Sequence, residues 1–246
     1  MPSLTENIQR RRYELKRREL VVVEVSTLSP HFLRLKLSGD DLADFVSASF
    51  DDHVKLFIPG DEQEAPIRRD YTPRSFDPVR RELTLELALH SGGPGARWAD
   101  QVAPGQTVAV GGPRGSFVVP VDFDWHLLVG DETALPAIAR RLEELPSSSR
   151  AIVHLHVADS TDQRPLTSAA QLDLRWVSSS DALIDSVRSL ALPSGEGYAW
   201  CAGEAATIAQ IRRVLVDEKG HDRRAIRAAA YWKRGANAHH EVLENQ

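Results

Sequence analysis

The hydrophobic pattern changes near residue 121, and this change constrains the fold more than any other feature. Before it, short stretches alternate apolar and polar side chains, as at Leu83, Leu85 and Leu87. Gly and Pro turn signals separate these stretches, which is typical of an antiparallel barrel or sandwich. After it, short apolar runs such as Trp125–Gly130 alternate with helical spacing. That alternation predicts right-handed β-α-β units and a mainly parallel sheet.

The sequence therefore predicts two domains, an antiparallel β-barrel over residues 17–121 and a parallel-sheet α/β domain over residues 122–246. In the first domain, strands are expected at 20–25, 31–37, 54–58, 81–90, 107–110 and 116–119. In the second, strands are expected at 125–130, 151–157, 172–177, 197–202 and 227–232, with helices at 134–145, 182–190 and 205–219. Gly220 is a plausible C-cap for the last helix.

Composition excludes several classes of protein. A net charge of -5 over 246 residues argues against a general nucleic-acid binder. No run approaches the roughly 20 apolar residues of a membrane helix, and the N-terminus lacks the apolar core of a signal peptide. The single cysteine, Cys201, permits no intrachain disulfide and fits a reducing compartment. We expect a cytoplasmic protein with no nucleic-acid or membrane partner. The basic residues 1–20 are expected to form a solvated, partly frayed lead-in, and a nucleic-acid or membrane role for this run is the alternative.

The hexapeptide Arg69-Asp-Tyr-Thr-Pro-Arg74 carries a cation, an aromatic ring and a hydroxyl close together. Side chains i and i+2 of a strand share a face, so Arg69 and Tyr71 should point together, and Pro73 should end the strand after Thr72. A flavin offers a flat ring to stack on, a ring nitrogen to hydrogen-bond and a diphosphate to neutralise, and these residue types suit all three. The alternative is a charged strand end with a packed tyrosine.

A glycine-rich stretch follows some 20 residues later, from His90 through Gly93 and Pro94 to Trp98. Proline is favoured at the first helical position, so a short helix is expected near Pro94. Free N–H groups at a helix start, with glycines that permit close approach, can bind an anion. One diphosphate could use both this stretch and Arg69; an ordinary glycine-rich connection is the alternative.

Two further segments follow strands of the predicted parallel sheet, Gly130–Pro136 and Cys201–Glu204. Ligands bind at the carboxyl ends of such strands, although the first segment lacks the glycine repeat of a dinucleotide fingerprint. Cys201 is expected to be a small buried apolar residue. His154 and His156 share a strand face, but no third ligand follows at a telling distance, so no metal site is predicted.

Together these segments resemble the siderophore-interacting proteins, the flavin-dependent ferric-siderophore reductases of the ferredoxin–NADP reductase superfamily. The resemblance covers about residues 17–236 and is carried by Arg69–Arg74, His90 with Gly93-Pro94 and Trp98-Ala99, Gly130–Thr133 with Pro136, Trp200–Glu204 and Tyr231–Gly235. Two positions depart from the family pattern: Ala230, where the family usually has glycine, and Gly95, where it tends to have alanine.

The resemblance implies noncovalent FAD in the barrel domain and NADPH or NADH as hydride donor in the α/β domain. By position, Tyr71 would flank the isoalloxazine and Thr72 would hydrogen-bond its N5 region, which makes these two the catalytic candidates. The cofactor-binding residues implied by the motifs are Arg69, Tyr71, Thr72, Arg74, His90, Gly93, Pro94, Trp98, Asp131, Glu132, Thr133, Gly203, Glu204 and Trp232.

The substrate that the resemblance implies is a ferric siderophore, reduced to release ferrous iron. Such a complex is bulky and often anionic and should need an open basic pocket, for which Lys55, Lys233 and Arg234 are candidates. The alternative is that all three are solvated surface charges. Two other functions stay open at this point: a general NAD(P)H:flavin or electron-transfer reductase, and a non-catalytic siderophore-binding flavoprotein.

Overall fold

The computed structural model describes residues 3–58, 67–89, 94–235 and 241–242. The chain divides into two compact units, Gln9–Val119 and Pro120–Gln246, the latter joined by Met1–Ile8. The first unit is built on an antiparallel sheet and the second on a mainly parallel one. The predicted fold class, a β domain followed by an α/β domain, is confirmed.

The first unit contains, among the described residues, β1 Gln9–Arg12, β2 Arg17–Ser29, β3 Phe32–Ser38, β4 Val54–Ile58, β5 Ile67–Tyr71, β6 Pro73–Asp77, β7 Glu82–Ala88, α1 Pro94–Ala99, β8 Thr107–Gly111 and β9 Gly115–Val118. Seven strands form one sheet in the order β5-β4-β8-β2-β3-β7-β6, and β1 pairs with β9 separately. Because β5 and β6 are the two ends of that order and only Thr72 separates them, the sheet curls until its ends meet.

The inner face of this curled sheet is made by the alternating apolar residues. Leu83, Leu85 and Leu87 of β7 are fully buried, as the alternation predicts. Val54 and Leu56 of β4 are fully buried in the same cluster. Burying a side chain of this size contributes roughly 1.5–3 kcal/mol, so this layer fixes which face of each strand points inward.

The expectation of a frayed N-terminal lead-in is wrong for Gln9–Arg12, although all four side chains are exposed. These residues pair with β9, and the Arg10 guanidinium lies 5.5 Å from the centre of the Phe117 ring. A Cβ at Gly115 would lie 2.2 Å from the Arg11 carbonyl oxygen, so only glycine permits this approach. Long-range pairing therefore orders a segment whose own sequence carries no apolar alternation.

A second difference concerns β6, which the sequence did not predict. β5 ends at Tyr71, one residue before the expected end at Thr72, and Pro73 then begins a new strand. The ladder between β6 and β7 shifts register between Pro73 and Ser75. Proline at the first position of a strand sacrifices no central ladder bond, so the residue that ends one strand also begins the next.

The second unit contains, among the described residues, β10 Trp125–Gly130, α2 Leu135–Glu144, β11 Arg150–His156, β12 Gln171–Val177, α3 Ser180–Ser189, β13 Gly197–Glu204, α4 Ala205–Arg213, β14 Ile226–Trp232 and β15 Glu241–Val242. The strand order is β12-β11-β10-β13-β14-β15, parallel except for the last pair. A π-helical turn, Val214–Glu218, continues α4, and Gly220 follows with φ +70°.

The central strands of the second unit are buried on both faces, as their continuous apolar sequences predict. Every residue of β10 is buried, and β13 is buried up to Gly203. Ile208 and Ile211 of α4 pack in the same cluster as Leu127 and Val129. Within the part of the chain that the structure describes, no helix combines the length and apolarity needed to cross a membrane.

Candidate functional site

Arg69 and Tyr71 lie on one face of β5, as the i, i+2 spacing predicts. The ladder with β4 places Arg69 opposite Leu56 and Tyr71 opposite Val54. Arg69 is half-buried, and its guanidinium donates to the Arg68 carbonyl at 2.9 Å. Among the described residues, no carboxylate forms an ion pair with Arg69, so its charge is available for an anionic ligand.

Tyr71 and Thr72 supply an aromatic ring and a hydroxyl next to that cation. The half-buried Tyr71 packs against the barrel core, and burial raises the pKa of its phenol to about 12 despite the opposing Arg69 charge. Thr72 is 5% exposed. A neutral ring, a sheltered hydroxyl and an unpaired guanidinium on adjacent residues are the donor set that a flavin and its diphosphate require, so the residues present fit this cofactor.

Arg74 has a structural engagement that the sequence did not indicate. Its Nε lies 3.5 Å from Oε1 of Glu86, whose side chain is fully buried. The same oxygen accepts from the Arg34 guanidinium at 2.6 Å. Glu86 therefore sits between two cations, and cofactor binding by Arg74 stays a prediction.

The glycine-rich stretch is described only in part, because His90 and Gly93 lie outside the described residues. α1 begins at Pro94 as predicted, but it is only six residues long. Trp98 is half-buried and packs against the barrel core. A Cβ at Gly95 would lie 3.9 Å from Ile58 Cδ1, an ordinary contact, so this departure from the family pattern is sterically mild. A diphosphate role for the stretch stays a prediction.

A pocket of about 190 Å³ opens on the outer face of β4. It is lined by Leu15, Lys16, Arg17, His53, Lys55, Phe57, Gly111, Gly112 and Arg114. We call it the basic pocket. The Arg17 and Arg68 guanidinium carbons lie 5.0 and 5.6 Å from the centre of the Phe57 ring. A Cβ at Gly111 would approach that ring to 3.1 Å, so the glycine makes room for it.

The charges of the basic pocket are only partly compensated. Lys55 Nζ lies 2.8 Å from Asp70 Oδ1, and Lys16 pairs with Asp44. Within the described ranges, no acidic side chain forms an ion pair with Arg17 or Arg114. The pocket thus carries excess positive charge in an acidic chain. Lys55, which the sequence named as a substrate candidate, lines this pocket, whereas the two arginines were not named. The Gly111–Gly115 turn was the available signal for Arg114.

The carboxyl edge of the parallel sheet gathers several predicted residues of the second unit. Asp131 is buried, and its Oδ2 accepts from the Glu204 amide at 2.9 Å and from the Trp232 indole at 2.8 Å. Its Oδ1 accepts from the Thr133 amide at 2.9 Å. Glu132 is half-buried beside them. This edge brings together residues that the chain separates by up to 101 positions.

Glu204 acts as the N-cap of α4. Its side chain accepts from the amides of Ala206 and Thr207. Burial opposes its ionisation, but amide donors, including that of Arg234, lower its pKa below the usual glutamate value. Lys233 and Arg234 follow β14 and are exposed. They belong to the second unit and Lys55 to the first, and a substrate role for all three stays a prediction.

His154 and Cys201 are buried in the sheet of the second unit. His154 Nδ1 lies 2.7 Å from Ser186 Oγ, which itself donates to the Leu183 carbonyl. Burial raises the pKa of Cys201 to about 12, so the thiol is protonated and unreactive. Across the described ranges, no three His, Cys, Asp or Glu side chains are grouped to hold a metal ion.

An antiparallel flavin-type domain followed by a parallel α/β domain defines the class of ferredoxin reductase-like flavoproteins. Residues 21–67 and 61–117 match the family profile described as siderophore-interacting FAD-binding domain, and residues 123–235 match that of siderophore-interacting protein. The chain therefore belongs to the siderophore-interacting protein family, as its motifs predicted.

Individual relatives match along most of their length. The chain is 34% identical to the NADPH-dependent ferric-chelate reductase of Escherichia coli, over 91% of this chain and 96% of that one. It is 31% identical to the ferric vibriobactin reductase ViuB of Vibrio cholerae, over 91% and 93%. Among solved structures, a siderophore utilization protein from T. fusca has a TM-score of 0.88 at 35% identity, covering 95% of this chain and 99% of that one.

Proposed function

We propose that this chain is an FAD-dependent reductase that takes hydride from NADPH and reduces a ferric siderophore, releasing ferrous iron for iron acquisition. Family membership supports the flavin and the siderophore. The E. coli relative, named for NADPH and a ferric chelate, supports the electron donor and the reaction. In this proposal FAD belongs to residues 17–121 and NADPH to residues 122–246, in a cytoplasmic protein.

The observation that carries the proposal is that the basic pocket lies on the outer face of β4, next to β5, which carries Arg69 and Tyr71 on the other face of the ladder, opposite Leu56 and Val54. Asp70, between Arg69 and Tyr71, is the residue that holds Lys55 in the pocket. An anionic iron complex attracted to Arg17 and Arg114 would thus bind beside β4, the strand that pairs with the flavin residues of β5. A cleft of one charge sign concentrates ligands of the other sign, even on an acidic protein.

Each residue at the strand end has one proposed task. The neutral Tyr71 ring covers a flat aromatic face, the Thr72 hydroxyl meets a ring nitrogen, and Arg69 neutralises the diphosphate. Bound FAD supplies the conversion from a two-electron hydride donor to one-electron acceptors, so that NADPH and two ferric ions give NADP⁺, a proton and two ferrous ions. Ferrous iron holds hard oxygen ligands less tightly than ferric iron, which favours release from the siderophore.

Each of the remaining predicted residues is assigned to FAD, to the iron complex or to NADPH. Arg74, His90, Gly93, Pro94 and Trp98 are proposed for FAD, and Lys55, Lys233 and Arg234 for the iron complex. The proposed NADPH residues at the carboxyl edge of the sheet are Asp131, Glu132, Thr133, Gly203, Glu204 and Trp232. Open α/β sheets bind ligands at that edge, which supports this assignment.

A spectrum and a substrate panel test the proposal. The purified protein should show flavin absorption bands that NADPH bleaches without oxygen. Adding a ferric siderophore should restore the bands, while a chromogenic ferrous chelator reports two ferrous ions per NADPH. Bands that NADPH does not bleach would leave only a binding function. Equal turnover of free flavins, quinones and ferric siderophores would indicate a general reductase.

A further inference from the structure

Asp131 is a shared hydrogen-bond acceptor for three separate segments of the second unit. Its Oδ1 accepts from the Thr133 amide at 2.9 Å and from the Thr133 hydroxyl at 2.5 Å. Its Oδ2 accepts from the Glu204 amide at 2.9 Å and from Trp232 Nε1 at 2.8 Å. Only 5% of the residue is exposed, so these protein donors, rather than water, satisfy the carboxylate.

Two neighbouring glycines permit close packing here, and one of them, Gly203, leaves room for this carboxylate. Gly203 has φ +149°, and a Cβ there would lie 2.5 Å from Asp131 Oδ2. A Cβ at Gly130 would lie 2.5 Å from the Ala134 Cβ and 2.6 Å from the Ala202 carbonyl oxygen. Any side chain at Gly203 would displace the carboxylate or the backbone. The strand ends are therefore packed around the position of Asp131.

The carboxylate also spans an irregularity in the sheet. The ladder between β13 and β14 pairs Gly203 with Ala230 but Glu204 with Trp232, so Tyr231 is the extra residue. Such a bulge re-aims the side chain that follows it. Asp131 Oδ2 bonds both members of the first pair after the bulge, the Glu204 amide and the Trp232 indole. The Arg234 amide is held in turn by Glu204 Oε1 at 3.4 Å.

We propose that Asp131 is a positioning residue for the NADPH side of the reaction and that it acts through Trp232. Its carboxylate holds the indole in one orientation at the carboxyl edge of the sheet, where a nicotinamide nucleotide is expected to bind. An indole has a single N–H, and here it donates to Asp131. A ligand would therefore contact the ring of Trp232 and not its N–H. This inference rests on the proposed function.

Three variants separate positioning from general support of the fold. Trp232→Phe keeps an aromatic ring but removes the N–H, and Asp131→Asn replaces the acceptor oxygens by an amide that cannot serve all the donors. The double variant tests whether the two residues act together. Trp176→Phe is the matched control, because Trp176 is a half-buried indole on β12, an outer strand of the same sheet that three strands separate from β14.

The first measurement needs no turnover. A ¹H–¹⁵N spectrum should show one indole cross-peak for each of the five tryptophans, and Trp232→Phe identifies the peak of Trp232. Asp131→Asn should shift that peak and speed its exchange with water while leaving the other four in place. A Trp232 peak that does not move in Asp131→Asn overturns the proposed link.

The second measurement is NADP⁺ binding to the FAD-loaded protein by calorimetry. Trp232→Phe and Asp131→Asn should each weaken binding about tenfold, which corresponds to 1.4 kcal/mol. The double variant should be no weaker than the weaker single variant, because both remove one interaction. FAD content should be unchanged throughout, and Trp176→Phe should bind NADP⁺ like the wild type.

The outcomes separate this inference from the proposed function. Wild-type affinity in Trp232→Phe, or additive losses in the double variant, overturns the inference and leaves the reductase intact. If Asp131→Asn does not fold, the comparison of Trp232→Phe with Trp176→Phe decides. A wild-type protein that neither binds NADP⁺ nor is bleached by NADPH overturns the proposed function, and the inference with it.

Discussion

Two arginines that the sequence places in one cofactor motif should respond in opposite ways to substitution. The Arg69 guanidinium has no carboxylate partner among the described residues, whereas Arg74 faces the fully buried Glu86. We expect Arg69→Ala to lose FAD affinity with little loss of stability. We expect Arg74→Ala to lose stability with a smaller loss of FAD affinity.

The magnitudes follow from these environments. Removing one partner of a buried ion pair typically costs about 3–5 kcal/mol. Because Glu86 keeps Arg34 at 2.6 Å, we expect about 2 kcal/mol for Arg74→Ala, which lowers a urea midpoint by about 1 M at an m-value of about 2 kcal/mol/M. Arg69→Ala should change stability by about 0.5 kcal/mol or less. A lost charge-assisted hydrogen bond of about 1.5–3 kcal/mol weakens FAD by about tenfold or more.

Both quantities must be measured separately, since bound FAD itself stabilises the folded state. Urea titrations should therefore use FAD-free protein, followed by the fluorescence of the barrel unit. FAD titrations should use buffer in which every variant is folded. Arg34→Ala serves as the matched control, because it removes the other cation of Glu86 without touching the motif. Equal FAD affinity in Arg69→Ala and wild type, or a tenfold loss in Arg74→Ala without any change in stability, would refute this reasoning.

Three further predictions follow from the same structure. Because burial raises the pKa of Tyr71 to about 12, FAD affinity should stay constant from pH 7 to 10, and it should survive Tyr71→Phe but not Tyr71→Ala. A change in FAD affinity near pH 10 that Tyr71→Phe abolishes would contradict this. Arg114→Ala and Lys55→Ala should raise the apparent KM for an anionic ferric siderophore severalfold at low salt, and Asp70→Asn should lower it. Both changes in KM should fade above about 0.5 M salt, whereas the rate of flavin reduction by NADPH, the control, should not change. Equal changes in KM with a neutral siderophore would argue against an electrostatic pocket. Burial, together with the Arg141 charge, lowers the pKa of His126 to about 3. Since the unfolded histidine titrates near 6.5, the free energy of unfolding should fall as the pH drops below 6.5, by about 2 kcal/mol between pH 6.5 and 5. In urea titrations, His126→Gln should lose about 2 kcal/mol less than the wild type over the same pH range.

The architecture could be predicted because it follows from short-range hydrophobic pattern. Strand β4 has the predicted ends, Val54–Ile58, and β10 the predicted Trp125–Gly130. The strands that were missed owe their order to distant partners. β1 is a run of charged residues that β9 pairs, and β6 begins with a proline beside a register shift. Local propensity favours neither as a strand, so pairing had to supply what the sequence pattern lacks.

The candidate site likewise combines features that local spacing predicts with features that depend on distant partners. The shared face of Arg69 and Tyr71 follows from spacing within one strand and could be predicted. The residual charge of Arg17 and Arg114 could not, because it depends on which acids Lys55 and Lys16 find across the sheet. Asp131 was named as a cofactor residue, but nothing in its segment indicated a hydrogen bond to Trp232, 101 positions later.

Thr72 links the topology of the first unit to its proposed flavin site. It is the single residue between β5 and β6, which lie at opposite ends of the seven-strand order. A one-residue link spans only a few ångströms, so the two ends must approach each other there, and the curled sheet closes at Thr72. Pro73 contributes to this because it has no N–H to continue the β5 ladder. At such a seam the ladder does not use every backbone N–H and C=O group, and the hydrogen-bonding edge of a ring can pair with the groups that remain. The Tyr-Thr-Pro sequence thus ends a strand and closes the sheet through one local event, at the place where we propose that the flavin docks. On this argument a substitution that let β5 continue past Thr72 would damage closure and cofactor binding together.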